Sequence, residues 1–230
     1  GYPYLPLTVI MSAQNILSER SFLSLNLRGF KQINETASLV YSTDVSYSNS
    51  YFTQNILNDA PWYVGYFDDK KTIEIGQISG NIIGVSSSGY GVKGSYRFND
   101  THELGAFYVN SNGFAASNSS INFGVWHNFN YNEDVRIKTQ LGRNINSISN
   151  RIINVLSVQP SIRINQNHSV SLISSVTNKK IDNAPVFFNP NGLLLGVSYT
   201  SIFFNKRLKY NLSTRFNDKN FSYGSFSRLF

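Results

Sequence analysis

The chain contains no cysteine. That excludes disulfides, a thiol nucleophile and any cysteine metal site. Charge is scarce: Asp, Glu, Lys and Arg make up 14% of the 230 residues, against about 25% in an average soluble domain. Long apolar runs are missing as well. Leu193–Val197 is among the longest, far short of the ~20 residues of a membrane-crossing helix. The first residues, Gly1 to Tyr4, carry neither a charged stretch nor an apolar core. If the protein is exported, its signal peptide is expected to be already gone. No stretch holds a period of 3.6, so helices are not expected.

Alternation of period two is present almost from end to end. Leu7, Val9, Met11 and Ala13 share one face of a first strand, opposite Thr8, Ser12 and Gln14. Leu23, Leu25 and Leu27 oppose Ser24, Asn26 and Arg28. Leu39, Tyr41, Val45 and Tyr47 oppose Ser42, Asp44, Ser46 and Ser48. The pattern continues through strands near Trp62–Phe67, Thr72–Ser79, Gly89–Phe98, Glu103–Asn110, Ser120–Phe129, Val135–Gly142, Ile152–Ile164, Ser169–Thr177, Leu193–Phe204, Leu208–Arg215 and Phe221–Phe230. Strand glycines, tyrosines and phenylalanines are plentiful, and aromatics reach 14%. Pro160 cannot donate to a ladder, so a bulge or bend is expected there.

The connections alternate in length. Lys31–Thr36, Asp68–Lys71, Asn99–His102, Asn130–Asp134, Asn165–His168 and Asn205–Arg207 are short and rich in Asn and Asp, residues that tolerate turn conformations. Between them fall the longer Asn49–Pro61, Gly80–Ser88, Ser111–Ser119, Arg143–Arg151 and Asn178–Gly192, with Leu17–Arg20 and Phe216–Asn220 as short exceptions.

The chain then stops on Phe221–Phe230, FSYGSFSRLF, an amphipathic strand ending in an aromatic. This strand resembles the closing strand of Gram-negative outer-membrane β-barrels. In that family Phe230, with Phe226 before it, would form the barrel-closure and assembly signal. The resemblance implies an all-β fold: a transmembrane antiparallel up-and-down β-barrel of about 14 strands. It places both termini in the periplasm, tight turns on that side and long loops outside. Residues 1–230 read as one barrel domain in the cell outer membrane, or as the C-terminal barrel part of a longer precursor. The implied partners are outer-membrane lipid, lipopolysaccharide, the barrel-assembly machinery and other outer-membrane complex subunits. Lys179, Lys180 and Lys219, read as loop residues, are candidates for lipopolysaccharide phosphates or are simply solvated.

With the apolar face in lipid, the other face lines the lumen. Its basic members are Arg28, Lys93, Arg97, Arg136, Lys138, Arg163, Lys209 and Arg215, and its acids Asp44, Glu74 and Glu103 are fewer. The seventh strand fits either parity, which leaves Glu103 and Phe107 open. Most of the basic residues lie near a short turn, a loose collar that would favour anions. The alternative is wall residues neutralised by nearby carboxylates. Small inward residues cannot fill a barrel of about 14 strands. Water or an inward loop is therefore expected, with Val186, Phe187 and Phe188 in Asn178–Gly192 as the plug or constriction.

Other motifs reduce to structure. Gly89, Gly91 and Gly94 spell the dinucleotide fingerprint but lie inside a strand, not between a strand and a helix. Trp126, with Asn122 and Asn128, suits a stacked sugar or a packing anchor. The net charge of +7 comes from scattered residues, without the basic patch of a nucleic-acid protein. His102, His127 and His168 form no grouping with serine and acid, so no enzyme, metal site or cofactor is expected. The resulting expectation is a porin-like channel for small polar, anionic or sugar-like solutes. The rival is a non-conducting or plugged barrel subunit of a secretion or surface-assembly complex.

Overall fold

A computed structural model of the protein describes residues 6–14, 22–48, 61–83, 85–111, 120–147, 150–181, 192–203 and 208–221. They form one sheet of 13 strands in sequence order, every neighbouring pair antiparallel. The strands are β1 (Leu7–Gln14), β2 (Phe22–Gln32), β3 (Ser38–Ser48), β4 (Trp62–Phe67), β5 (Lys71–Ile82), β6 (Val85–Arg97), β7 (His102–Asn110), β8 (Ser120–Asn130), β9 (Val135–Asn146), β10 (Arg151–Asn165), β11 (His168–Ile181), β12 (Gly192–Phe203) and β13 (Leu208–Asn217). This is an up-and-down antiparallel sheet. Among the described residues β1 pairs only with β2 and β13 only with β12, so they do not themselves close a barrel. The expected fourteenth strand, with Phe226 and Phe230, lies outside the described residues beyond Phe221. So do Val186, Phe187 and Phe188.

The alternation becomes two faces because every ladder keeps a single register. Val64 pairs with Ile75, Ile75 with Val92, Val92 with Tyr108 and Tyr108 with Phe123. All five are exposed on the outer face, between 38% and 45%. The inner face holds Tyr63, Gly76, Gly91 and Val109, one residue out of step with them. The register settles β7: Phe107 points inward, at 4% exposure, and Leu104 outward, at 43%.

Two connections are shorter than the sequence suggests. β5 and β6 stay paired up to Ile82 and Val85, so the expected loop Gly80–Ser88 is mostly a hairpin end. β9 and β10 likewise run on to Asn146 and Arg151. Polar residues at these strand ends hid the ladder, because neither face of a strand that extends past the apolar band needs to be apolar. For the same reason Lys179 and Lys180 belong to β11, paired with Ile153 and Ile152, and not to a loop.

The tight turns share one device. An Asn or Asp carbonyl or carboxylate oxygen accepts backbone N–H groups two and three residues on, replacing a backbone turn bond. Asn34 does so for Thr36 and Ala37, Asp68 for Lys70 and Lys71, Asn99 for Thr101 and His102, and Asn132 for Asp134 and Val135. In the β8–β9 turn the residue used is Asn132, not the expected Asn130. Pro160 sits in an unbroken ladder with β9, opposite Ile137. On the β11 side the pairing skips Gln159 and Pro160 and resumes at Ser161–Ser171 without a register change. The expected bulge is absent at Pro160; the shift falls instead between Arg163 and Asn165.

Candidate functional site

The inner face divides into two halves of different chemistry. Toward the tight turns, the register assembles a polar row. Arg97 on β6 stands opposite Glu103 on β7, then come Asn128 on β8, Lys138 on β9 and Gln159 on β10. One step nearer the turns, Asn130, Arg136, Ser161 and Ser171 form a second row across β8 to β11. Together with Asp100 these residues line a cavity of about 660 Å³.

The electrostatics inside it are unbalanced. Asn128 donates to Glu103 at 3.2 Å, and the Ser161 and Ser171 hydroxyls share a hydrogen bond of 2.8 Å. Among the described residues Arg97, Arg136 and Lys138 belong to no salt bridge. Cations outside any salt bridge around a polar cavity can hold an anion through charge-assisted hydrogen bonds.

The other members of the expected basic set fare differently. Lys93 is bonded to Glu74 at 3.0 Å, and Glu74 also accepts from the Tyr63 hydroxyl at 3.2 Å. Arg163 turns to the β8–β9 turn, 2.8 Å from Asp134 and 3.5 Å from Glu133. Arg28, Lys209 and Arg215 occupy inner-face positions opposite Ser42, Ile202 and Gly196, on strands that do not line the cavity. Asp44 accepts a hydrogen bond from Asn26 across β2 and β3. The cavity's acids, amides and hydroxyls have a sequence signal, inward parity within a few residues of a tight turn. It is the signal that singled out the cations.

Toward the other end, the inner face is filled. Ile78, Ile82, Phe107, Val109, Ile153 and Val155 are no more than 5% exposed, and Tyr63 and Trp126 pack against them. Of the water or inward loop expected to fill this width, this half holds an inward element, the β5–β6 hairpin, which folds across it. β5 touches β8 and β9, which are not its ladder neighbours. The bend lies at Gly76, whose φ of +110° suits only glycine, directly opposite Gly91. Two glycines receive the hairpin tip. A Cβ on Gly124 would lie 2.2 Å from Ile82 Cδ1, and one on Gly142 3.3 Å from Ile82 Cγ2. Of the glycines of the dinucleotide-like motif, Gly91 thus lies across the ladder from the bend. Trp126 stacks over Gly105 and near Phe107, 6.5 Å between centroids, a packing anchor.

The histidines gather on the outer face near the tight turns. His102 Nδ1 lies 3.0 Å from His127 Nε2, and Phe129 stacks on His102 at 4.9 Å. His168 Nδ1 lies 3.0 Å from Ser201 Oγ and 2.6 Å from the Tyr199 hydroxyl. This His–Ser pair was not legible in the sequence because the two residues meet across β11 and β12. It does not make a nucleophile: Ser201 is 0% exposed, and Tyr199 shares the same ring nitrogen. No group of three or more metal-ligating side chains occurs among the described residues.

No protein-family model matches the chain, and no curated protein matches it. Solved structures do resemble it in fold. A multiply substituted variant of Rh. blastica porin aligns with a TM-score of 0.40 at 10% identity, over 92% of this chain and 97% of the porin. A second variant of that porin gives 0.32 at 10% identity, over 86% and 91%. A structure described as concerning asymmetric conductivity of engineered proteins gives 0.32 at 10% identity, over 94% and 100%. At this level the likeness is one of strand succession, and the reading of the site rests on the residues above.

Proposed function

We propose that the chain is an outer-membrane, porin-like β-barrel that passes small polar solutes by diffusion, with a preference for anionic or sugar-like ones. In this reading the segment after Phe221 is the fourteenth strand. It pairs with β1 to remove both sheet edges, and both termini are periplasmic. The outer face then meets lipid and the inner face water. The observation that carries the reading is the opposition of the two faces. Leu, Val, Ile, Tyr and Phe are exposed along the outer side of nearly every strand, while the inner side holds a charged cavity with three cations that, among the described residues, belong to no salt bridge. A soluble sheet would bury that outer face.

The Arg97, Arg136 and Lys138 cluster supplies the anion preference, and the amides and hydroxyls beside it suit a hydroxylated solute. Planar-bilayer recording tests both parts. Stepwise conductance with an anion-selective reversal potential under a salt gradient is expected. Replacing Arg97, Arg136 and Lys138 together by Gln should abolish the selectivity and leave conductance. Unchanged selectivity would remove the role assigned to these cations.

One observation favours a second reading, a plugged barrel subunit of an outer-membrane complex. The inner face of β5, β7 and β10 is packed with apolar side chains beyond the cavity, with Tyr63 and Trp126 against them. Absence of conductance, together with a stoichiometric partner on purification, would decide for it.

A further inference from the structure

Two of the three histidines meet in a way that an apolar wall does not explain. His102 opens β7 and His127 lies near the end of β8, both half-buried on the outer face close to the tight turns. They occupy neighbouring rungs of one ladder: His102 stands opposite Phe129, and His127 opposite Leu104. Their ring planes differ by 9° and their ring centres are 5.3 Å apart, yet His102 Nδ1 is 3.0 Å from His127 Nε2. Those three values fit one arrangement. The rings share a plane edge to edge, and each turns one nitrogen straight at the other. A single hydrogen fills the gap, donated by one neutral imidazole to the lone pair of the other.

Two converging imidazole nitrogens are also a ready chelate. Two Zn–N bonds of about 2.0–2.1 Å at a tetrahedral angle span about 3.3 Å, a few tenths of an ångström more than the present gap. Small rotations of the two side chains therefore admit an ion while the ladder stays as it is. The backbone beneath is held: the His102 N–H donates to Asn99 Oδ1 at 2.8 Å, and the His102 carbonyl accepts from Phe98 at 2.9 Å. The Phe129 ring flanks His102, 4.9 Å between centres. The side chains paired with the two histidines, Phe129, Leu104 and Thr139, carry no charge that would repel a cation. Among the described residues neither histidine is in a salt bridge.

We propose that His102 and His127 form a two-histidine site for a divalent transition-metal ion, Zn²⁺ being the probe ion, with water in the remaining ligand positions. Neutral imidazole suits Zn, Cu and Ni, whereas Mg²⁺ and Ca²⁺ take oxygen ligands. The site lies on the opposite face of the sheet from the charged cavity and does not rest on solute passage. It ties β7 to β8 from outside at the point where Asn128 and Glu103, the next residues in each strand, are bonded on the inner face.

The test titrates the full chain, folded in detergent micelles and stripped of metal, with Zn²⁺ by calorimetry. Wild type should bind, and His102→Asn and His127→Asn should each weaken binding by about ten-fold or more, at least what loss of a supporting residue costs a metal site. His168→Asn should bind like wild type, since His168 is engaged with Tyr199 and Ser201. Lowering the pH from about 7.5 to about 5 should weaken wild-type binding, because protons compete for the ring nitrogens. Equal affinity in wild type, His102→Asn and His127→Asn overturns the site, as does loss of binding with His168→Asn alone. Mg²⁺ binding with the same dependence on the two histidines overturns the choice of ion. Should neither variant fold, the wild type decides: Zn²⁺ should protect His102 and His127 from diethyl pyrocarbonate, read by peptide mass spectrometry, and unchanged modification of the pair overturns the site.

Discussion

The packing of Ile82 against Gly124 gives a prediction that can be worked out atom by atom. A methyl at Gly124 would lie 2.2 Å from Ile82 Cδ1 and 2.8 Å from Phe107 Cε1. Ile82 is 1% exposed and Phe107 4%, so neither end group has open space to turn into. Gly124→Ala should therefore destabilise the folded protein by about 1 to 3 kcal/mol, the usual range for overpacking. Ile82→Val deletes the Cδ1 that collides and alone should cost about 0.5 to 1.5 kcal/mol. Combined, the two should cost less than their sum by about 1 kcal/mol, because Ile82→Val removes the atom that the Gly124→Ala methyl strikes. Rescue should be partial, since Phe107 remains. Gly142→Ala is the internal control: its nearest contact is 3.3 Å, so it should cost clearly less than Gly124→Ala. The assay is urea unfolding in detergent micelles, followed by the fluorescence of Trp126, which packs on this cluster, in a Trp62→Phe background. Strict additivity, or equal costs at Gly124 and Gly142, would refute the placement of the hairpin tip.

Three further outcomes follow from other parts of the molecule. Gly76→Ala should cost more than any substitution above, because its φ of +110° strains a Cβ and that atom would sit 2.2 Å from the Trp62 carbonyl oxygen; loss of the folded species on unheated gels, with Gly94→Ala spared, checks it. Around Asp68, desolvation alone would raise the carboxyl, but the N–H groups of Lys70 and Lys71, the Tyr66 hydroxyl and the Lys71 charge outweigh it and hold it below the ordinary aspartate range. A depressed folded value means the stabilisation is present at neutral pH and is lost as pH falls through that lowered value, so Asp68→Asn should flatten the acid limb of the stability curve below the aspartate range. Lys93→Gln should alter anion selectivity much less than Arg97→Gln, since Glu74 already neutralises Lys93; equal shifts in reversal potential would contradict this.

The strands were readable because one face has a single, uniform requirement. Most outer positions from Leu7 to Phe216 are apolar and exposed, so period two survives across the sheet. That also places the basic residues on the inner face, since an in-register ladder carries parity from strand to strand. What the sequence hides is set by contacts between strands far apart in the chain. Lys93 and Lys138 look alike by parity, but only Lys93 has a carboxylate, Glu74, directly across the ladder. His168 and Ser201 meet through pairing of β11 with β12, which no spacing announces. Phe107 looked ambiguous because both faces of β7 are apolar, one exposed and the other covered by the hairpin. Gly76 gave no local sign of its bend; its cross-strand partner Gly91, read in the sequence as one of three glycines inside a strand, supplied half of the signal.

The hairpin also constrains how the channel and plugged readings relate. Swinging it out would expose the six buried apolar side chains of its cluster. At roughly 2 kcal/mol for each, of the kind area burial gives, the cost is about 12 kcal/mol. A state that far above the ground state is populated well under one part in a million. Thermal opening of the hairpin is thus no route for solutes. If the protein conducts, the path must pass beside the folded hairpin. It would start from the cavity of Arg97, Arg136 and Lys138 and run along inner faces that the cluster leaves uncovered, such as that of β13, where Lys209, Asn211, Ser213 and Arg215 are exposed. Channel behaviour should accordingly depend on residues of β13 and on the cavity, and be indifferent to loosening the cluster by Ile82→Val. A conductance that rises steeply with that one substitution would instead make the hairpin the gate and show the packing to be far weaker than its burial implies.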